Sequence, residues 1–179
     1  MTQKKIIVVD DSEVNLKICT KALGGTYEVY PALSAEIMFD ILSHIKPDLI
    51  LLDVEMPGIH GYDAMRQLKG NDLYKDIPVI FLSAMDDTQS EIIGFELGAV
   101  DYIHKPFIDS ILLKRVDTNI AQIDAANKLS MQGKYNDMAM LHESIAHKIE
   151  KTLQLDDIDE INQILHSIDA ELKNFGVDI

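Results

Sequence analysis

The sequence predicts an α/β protein in which a doubly wound, five-stranded parallel sheet is followed by an α-helical extension. The runs IIVV, LILL and VIFL are apolar throughout, as is typical of parallel strands that helices cover on both faces. Segments of helical length separate these runs, and alternating strands and helices imply right-handed crossovers between parallel neighbours. Both observations favour a sheet that lies between two layers of helices.

The period of the apolar residues places each element along the chain. The predicted strands are residues 5–9, 28–30, 49–52, 79–82 and 102–103. The predicted helices are residues 12–23, 34–45, 62–69, 88–97 and a long one from Ile108. Cys19 falls within an apolar helical stretch, so we expect it to be a small core residue.

The composition is acidic, which limits the classes of partner. The chain has 179 residues, of which 16 are basic and 30 acidic, a formal net charge of −14. From residue 121 onward there are 11 acidic residues, 5 Lys and no Arg, so we expect no nucleic-acid binding. The N-terminal sequence has neither a signal-peptide pattern nor a membrane-spanning apolar run, so we expect a cytoplasmic protein without membrane contact.

Chemically active side chains follow four of the five predicted strands. Asp10 and Asp11 follow the first strand, Asp53 the third, Ser83 the fourth and Lys105 the fifth. Parallel strands end at one edge of a sheet, and doubly wound sheets bind ligands at that edge. Each residue alone has an ordinary structural explanation, such as capping a helix or starting a turn. Their joint occurrence predicts a functional site.

The residue types in this predicted site suit phosphoryl transfer with a divalent cation. Three converging carboxylates repel one another unless a cation lies among them, and Mg²⁺ prefers oxygen ligands of this kind. An Asp carboxylate beside the metal can attack phosphorus and form an acyl phosphate. The Lys105 ammonium can neutralise charge on the transferring group, and the Ser83 hydroxyl can donate a hydrogen bond to it.

Four sequence blocks resemble the receiver domain of bacterial two-component response regulators. They are VVDDS at 8–12, LLDVEMPGIHGYD at 51–63, LSA at 82–84 and GAVDYIHKPF at 98–107. The resemblance covers residues 1–122, and the blocks occur in family order with family-like spacing. It implies the flavodoxin-like receiver fold for residues 1–122 and leaves residues 123–179 as a helical extension.

The resemblance also implies roles for individual residues. Asp53 would accept a phosphoryl group from a sensor histidine kinase or a phosphotransfer protein. Asp10, Asp11, Asp53 and the backbone carbonyl of Glu55 would hold Mg²⁺. The chain would then be no ordinary enzyme, but a phosphoacceptor that assists its own phosphorylation and dephosphorylation.

A second set of implied roles concerns the response to phosphorylation. Lys105 would pair with the phosphoryl group, and Ser83 would be the switch hydroxyl. Tyr102 would be the switch aromatic, which turns inward when Ser83 moves toward the phosphoryl group. The face that bears Tyr102 and the Ile108 helix would be the output surface, through which the chain forms a homodimer or docks a partner protein.

Apolar residues at helical spacing continue beyond the predicted sheet. We expect the fifth helix to run on toward Gly133, a second helix to follow, and Asp156 and Asp157 to cap a third. The second apolar stripe comprises Met138, Leu141, Ile145, Ile149 and Leu153, and the third comprises Ile158, Ile161, Leu165, Ile168, Leu172 and Phe175. Such stripes predict helix packing, either within one chain as a hairpin or across a dimer.

The third of these helices resembles the active helix of a histidine-phosphotransfer domain. His166 stands where that family carries its phosphorylated histidine, and Ile168 and Gly176 match the family pattern. Asp169 and Ala170 depart from it, because the family has Lys and Gly there. An acidic residue at that position would repel a phosphoryl group.

The leading hypothesis is a phosphorylation-dependent signalling switch, and other functions stay open beside it. One is a phosphorelay protein that uses the His166 tail, and another is a truncated regulator whose output domain follows Ile179. A magnesium phosphatase with the same aspartyl chemistry is disfavoured, because the short connections leave no room for a cap over the substrate.

Overall fold

A parallel sheet organises the first part of the chain. The computed structural model describes residues 3–84, 88–152 and 158–174. The strands are β1 (Lys5–Val9), β2 (Glu28–Ala32), β3 (Leu49–Asp53), β4 (Val79–Ser83) and β5 (Asp101–His104). All neighbouring pairs are parallel, and the strand order is β2-β1-β3-β4-β5. The chain adds β2 on one side of β1 and β3 to β5 on the other, so the strand order reverses between β1 and β3. The predicted doubly wound α/β fold is confirmed.

Helices alternate with these strands and then continue beyond them. They are α1 (Glu13–Leu23), α2 (Ala35–His44), α3 (Gly61–Lys69), α4 (Thr88–Glu96), α5 (Asp109–Thr152) and α6 (Ile158–Asn174). Ser12 and Ser34 precede α1 and α2 as N-caps, each accepting a hydrogen bond from the backbone N–H three residues on. Strands β3 and β4 run one residue further than predicted, so Asp53 and Ser83 are strand residues.

Alternate residues of the buried strands point into two separate cores. Ile6 and Val8 of β1 pack with residues of α1 and α5, whereas Ile7 and Val9 pack with residues of α2 and α3. Both faces of the sheet are therefore covered, which explains why these strands carry no polar alternation. Cys19 is fully buried in the first core, as predicted, and burial raises the pKa of its thiol to about 12.

Helix α5 differs from the prediction in its length. It runs for 44 residues without interruption, so the expected helix end near Gly133 is wrong and the Met138 stripe belongs to α5 itself. A glycine inside an exposed helix costs about 1 kcal/mol relative to alanine, which weakens a long helix without ending it. Leu153, the Asp156–Asp157 cap, Phe175 and Gly176 lie outside the described residues.

The chain comprises two compact units, Met1–Ile123 and Asp124–Ile179. In the second unit, the last turns of α5 pair with α6. Lys148 Nζ donates to Oε1 of Glu171 at 2.6 Å and to Oγ of Ser167 at 2.7 Å. Among the residues that the structure describes, no helix is both long and apolar enough to cross a membrane.

A chain that ends after residue 123 is expected to keep its sheet folded, because the residues of both cores precede that point. Its urea midpoint, followed by tyrosine fluorescence, should match that of the full chain. A chain that ends after residue 110 also loses Leu112, Val116 and Ile120 from one core. Each such side chain contributes about 1.5–3 kcal/mol, so this control should not fold. An unfolded product from the longer chain would contradict the predicted division after residue 122.

Candidate functional site

Polar side chains from several strand ends meet at one edge of the sheet, where the strand order reverses. Asp53 ends β3 and Ser83 ends β4, while Asp10 directly follows β1 and Lys105 directly follows β5. Asp10, Asp53 and Ser83 are buried. One carboxylate oxygen from each of Asp10, Asp11 and Asp53 lies within 4.8 Å of the other two. The fold therefore brings together the acidic residues that the sequence predicted.

The Lys105 ammonium lies between two of these carboxylates. Its Nζ atom is 2.6 Å from Oδ2 of Asp10 and 2.9 Å from Oδ2 of Asp53. The three side chains are 15%, 0% and 5% exposed, so solvent screens these ion pairs far less than surface pairs. Because Asp11 adds a third carboxylate, the cluster keeps an excess of negative charge and suits a further cation.

The surroundings change the pKa values of two members of the cluster. Burial raises the pKa of Asp53 above the usual 3.8; the Lys105 ammonium opposes this rise and the Asp10 carboxylate adds to it. Burial by itself would lower the pKa of Lys105, but the contacts with Asp10 and Asp53 outweigh it and raise that pKa above 10.5. Lys105 is consequently an ammonium at neutral pH.

Asn15 positions Asp10, a role that the sequence analysis did not identify. The Asn15 amide donates to both carboxylate oxygens of Asp10, at 3.0 and 3.1 Å. The backbone N–H of Ser12 donates to the same carboxylate at 3.0 Å. The signal was present in the sequence DDSEVN, because a residue in the first turn of α1 faces back toward the end of β1.

Gly61 allows α3 to begin directly beside Asp53. The Gly61 N–H donates to the carbonyl oxygen of Val54 at 2.9 Å. A Cβ atom at this position would overlap the carbonyl oxygen of Asp53 and lie 2.8 Å from the Cα of Val54. Only glycine permits so close an approach of helix and strand. The sequence indicated a turn in this segment, but not the distance between the two elements.

The remaining residues of the predicted site lie around this cluster. The backbone N–H of Glu55 is 3.4 Å from Oδ1 of Asp53, and the Glu55 side chain is exposed. The Lys105 N–H donates to the carbonyl oxygen of Ser83 at 2.7 Å, which joins the ends of β4 and β5. The Lys105–Pro106 peptide bond is cis. The roles proposed for the Glu55 carbonyl and the Ser83 hydroxyl stay predictions.

Tyr102 lies with its ring inward, beneath α4. The side chain is almost fully buried, and its hydroxyl has no hydrogen-bond partner among the residues that the structure describes. The ring centroid is 6.2 Å from that of Phe81 and 5.3 Å from that of His104. Tyr62, which the sequence analysis did not single out, packs edge-on against Phe81 and donates to the Ser90 carbonyl at 2.9 Å. Tyr62 thus connects α3 to α4.

His166 is exposed on α6, as the resemblance to a phosphotransfer helix predicts. Its Nδ1 lies 2.8 Å from the carbonyl oxygen of Asn162, a distance that suits the tautomer with the proton on Nδ1, because a carbonyl oxygen only accepts. In that tautomer, Nε2 is the nucleophilic nitrogen. Asp169 is paired with Lys173 at 2.7 Å. Phosphotransfer through His166 stays a prediction.

Replacing Lys105 by alanine is expected to destabilise the sheet-containing unit. Two buried carboxylates would lose their shared cation, a change that costs about 3–5 kcal/mol in the free energy of unfolding. Lys17 is a matched control, because its pair with Glu13 at 3.1 Å is exposed. Lys17→Ala should cost less than about 1 kcal/mol. Urea denaturation measures both values, and equal losses would contradict a special role for Lys105.

The same ion pairs predict a dependence on pH. Because the folded-state pKa of Lys105 is raised, the stabilisation is complete below the unfolded-state value of 10.5 and is lost as the pH rises through the folded-state value. The difference in unfolding free energy between wild type and Lys105→Ala should therefore shrink at strongly alkaline pH. A difference that stays constant there would contradict the ion-pair explanation.

A family profile described as the response regulator receiver domain matches residues 6–117. A probable cyclic di-GMP phosphodiesterase of Vibrio cholerae serotype O1 is 36% identical over 144 residues, which cover 80% of this chain and 33% of that protein. The response regulator PleD of Caulobacter vibrioides is 38% identical over 113 residues, 63% of this chain and 25% of PleD. The chain thus spans a third or less of these relatives.

Solved structures give the same result for the fold. The BeF3-activated receiver domain of DrrB is 33% identical, with a TM-score of 0.61 over 67% of this chain and 99% of that one. A putative response regulator from Chloroflexus aurantiacus is 34% identical, with a TM-score of 0.63 and the same coverage of both chains. The site geometry, the family profile and these structures agree: the chain belongs to the response regulator receiver domain family of two-component signalling.

Proposed function

We propose that this chain is a phosphorylation-dependent switch in which Asp53 accepts a phosphoryl group from a histidine kinase or a phosphotransfer protein. The observation that carries the proposal is the buried cluster at the sheet edge, where the Asp53 carboxylate lies beside Lys105 and two further carboxylates. An Asp53 carboxylate oxygen attacks the phosphorus of a phosphohistidine. A P–O bond forms as the P–N bond breaks, and the imidazole leaves.

Lys105 supports this step through its fixed position. Its ammonium, 2.9 Å from Asp53, lies where it can donate to the oxygens of the transferring phosphoryl group. Ion pairing with Asp10 holds the side chain near the site, so little reorganisation is needed during transfer. The same pairing keeps Lys105 protonated. After transfer, the ammonium offsets charge on the acyl phosphate.

The site also fits Mg²⁺, which we propose is held by Asp10, Asp11, Asp53 and the backbone carbonyl of Glu55. All these donors are oxygen atoms, and those of the three carboxylates cluster within 4.8 Å. When bound, the metal neutralises negative charge on the phosphoryl oxygens. Asn15 fixes the orientation of Asp10 with or without the metal, because its amide donates to both carboxylate oxygens.

Ser83 and Tyr102 are proposed to convert phosphorylation into a change at the surface. Ser83 lies buried at the end of β4, and Lys105 follows the neighbouring strand, so both flank the phosphoryl position. Movement of the Ser83 hydroxyl toward the phosphoryl group would favour the inward position of Tyr102. The conformations with the Tyr102 ring inward and outward must differ in their affinity for the phosphoryl group. Binding shifts the equilibrium between these conformations only by that difference in affinity.

The proposed output is dimerisation or the docking of a partner protein. Exposed apolar side chains support it in each unit. In the first unit they include Ile92 and Phe95 of α4, Val100 before β5 and Ile111 of α5. In the second unit α5 exposes Leu129, Met131, Tyr135, Met138 and Met140. The match with the Vibrio phosphodiesterase covers 144 residues, whereas the receiver-domain profile ends at residue 117 of this chain. Part of the match therefore lies beyond residue 117, outside the receiver domain.

Asp53→Ala is expected to abolish covalent labelling by acetyl phosphate in the presence of Mg²⁺. Intact-protein mass spectrometry should find one phosphoryl group on the wild type and none on the variant. Asp63→Ala is the matched control, because Asp63 is an exposed aspartate on α3 that pairs with Arg66. It should label like the wild type, and a chelator should suppress labelling in both. Persistent labelling of Asp53→Ala would refute the assignment.

Light scattering tests the output. Beryllofluoride with Mg²⁺ should raise the molar mass of the full chain toward that of a dimer, because exposed apolar surface becomes buried between two copies. Asp53→Ala should keep its starting mass under the same conditions. An unchanged mass of wild type with beryllofluoride bound would contradict dimerisation and leave docking of a different protein as the output.

A further inference from the structure

Helix α4 approaches the sheet most closely at Gly94, directly over two aromatic rings. A Cβ atom on Gly94 would lie 3.1 Å from Cδ2 of Phe81, 3.1 Å from Cδ2 of Tyr102 and 3.4 Å from Cε2 of Tyr102. The two distances of 3.1 Å are tighter than ordinary van der Waals contact, so at least one ring would have to shift by a few tenths of an ångström. The two rings occupy the space that a side chain at position 94 would need.

The backbone does not require glycine at this position. Among the described residues, glycines with positive φ are Gly58 and Gly98, whereas Gly94 lies inside α4 with an ordinary helical backbone. Glycine is a poor helix former, so its presence here weakens the helix. The geometry that favours glycine is therefore the space occupied by the rings, and not the local conformation of the chain.

The two rings differ in their freedom to move. Phe81 is fully enclosed on β4, between Tyr62 on one side and Tyr102 on the other. Tyr102 lies on β5, which is one of the two edge strands of the sheet. Its hydroxyl has no hydrogen-bond partner among the described residues, so packing holds the ring inward more than polar contacts do. A methyl group at position 94 would displace Tyr102 before Phe81.

We propose that Gly94 is a positioning residue for Tyr102: the absence of a side chain on α4 keeps the inward position of the ring accessible and so sets the balance of the switch. This inference rests on the proposed role of Tyr102 as the switch aromatic. Helix α4 would then influence the switch sterically, through the space that it leaves for the Tyr102 ring. Any side chain at position 94 shifts the population toward an outward ring and weakens the binding of a phosphoryl group at Asp53.

The test compares Gly94→Ala with Gly133→Ala in the full chain. Gly133 is the matched control, because it also lies within a helix and a Cβ atom there would have no neighbour within 4 Å. In the absence of ligand, Gly94→Ala should lose the nuclear Overhauser contacts between the Tyr102 and Phe81 rings. Its dissociation constant for beryllofluoride with Mg²⁺ should be about tenfold higher. Gly133→Ala should keep both properties of the wild type.

A double-variant cycle establishes whether the effect passes through the tyrosine ring. In a Tyr102→Ala background, Gly94→Ala should leave the dissociation constant unchanged, since no ring is left to displace. An equal loss of affinity in both backgrounds would overturn the proposal, as would unchanged ring contacts in Gly94→Ala. If Gly94→Ala fails to fold, adding Tyr102→Ala should restore folding. Failure to restore it would place the clash elsewhere and overturn the proposal.

Failure of the proposed function is separable from failure of this inference. A wild-type chain that binds no beryllofluoride would count against phosphorylation at Asp53. The ring contacts between Tyr102 and Phe81 are measured without any ligand, so they decide the position of Tyr102 in either case. Loss of those contacts in Gly94→Ala, with Gly133→Ala unchanged, supports the steric claim by itself.

Discussion

The placement of one ammonium between two buried carboxylates is the constraint on which the rest of the site depends. Lys105 follows β5, yet its Nζ reaches Asp10 beyond β1 and Asp53 at the end of β3. Such a contact requires that the strands end at nearly the same level of the sheet. Without the shared cation, desolvation would make two ionised carboxylates at this edge costly. The ion pairs therefore depend on the register of the strands, and they also offset the negative charge of the two carboxylates.

Neighbouring residues adapt the scaffold to this arrangement. Asn15 holds Asp10 from the first turn of α1, and Gly61 brings the start of α3 against the backbone of Asp53. Tyr62, next in sequence, packs on Phe81 and donates to the Ser90 carbonyl in α4. A continuous series of contacts therefore runs from the acidic cluster to the helix that covers Tyr102. Its members touch directly, so a displacement at one end has a physical route to the other.

The second unit differs from the first in how little of its long helix is buried. Most residues of α5 between 121 and 140 are exposed, whereas Leu141 is buried. Helicity increases with helix length, and the contact of Lys148 with Glu171 joins the last turns of α5 to α6. Exposed methionines and leucines on such a helix cost solubility in a lone chain. This exposed apolar surface is the physical reason why we propose that the second unit contacts other molecules.

The sequence by itself determined the fold class, because uniformly apolar strands that alternate with amphipathic helices pack in few other ways. It also determined the composition of the acidic cluster, since the strand ends of a parallel sheet share one edge. Element ends were less certain. Strands β3 and β4 include Asp53 and Ser83 because the pairing with the neighbouring strand continues through these residues. Helix α5 passes through Gly133 because hydrogen bonding in the neighbouring turns outweighs the local preference of one residue. Only the tertiary structure decided how closely Gly61 approaches the backbone of Asp53 and how closely Gly94 approaches the rings of Phe81 and Tyr102. Each approach depends on how a helix packs on the sheet, and no periodicity in the chain records such a distance.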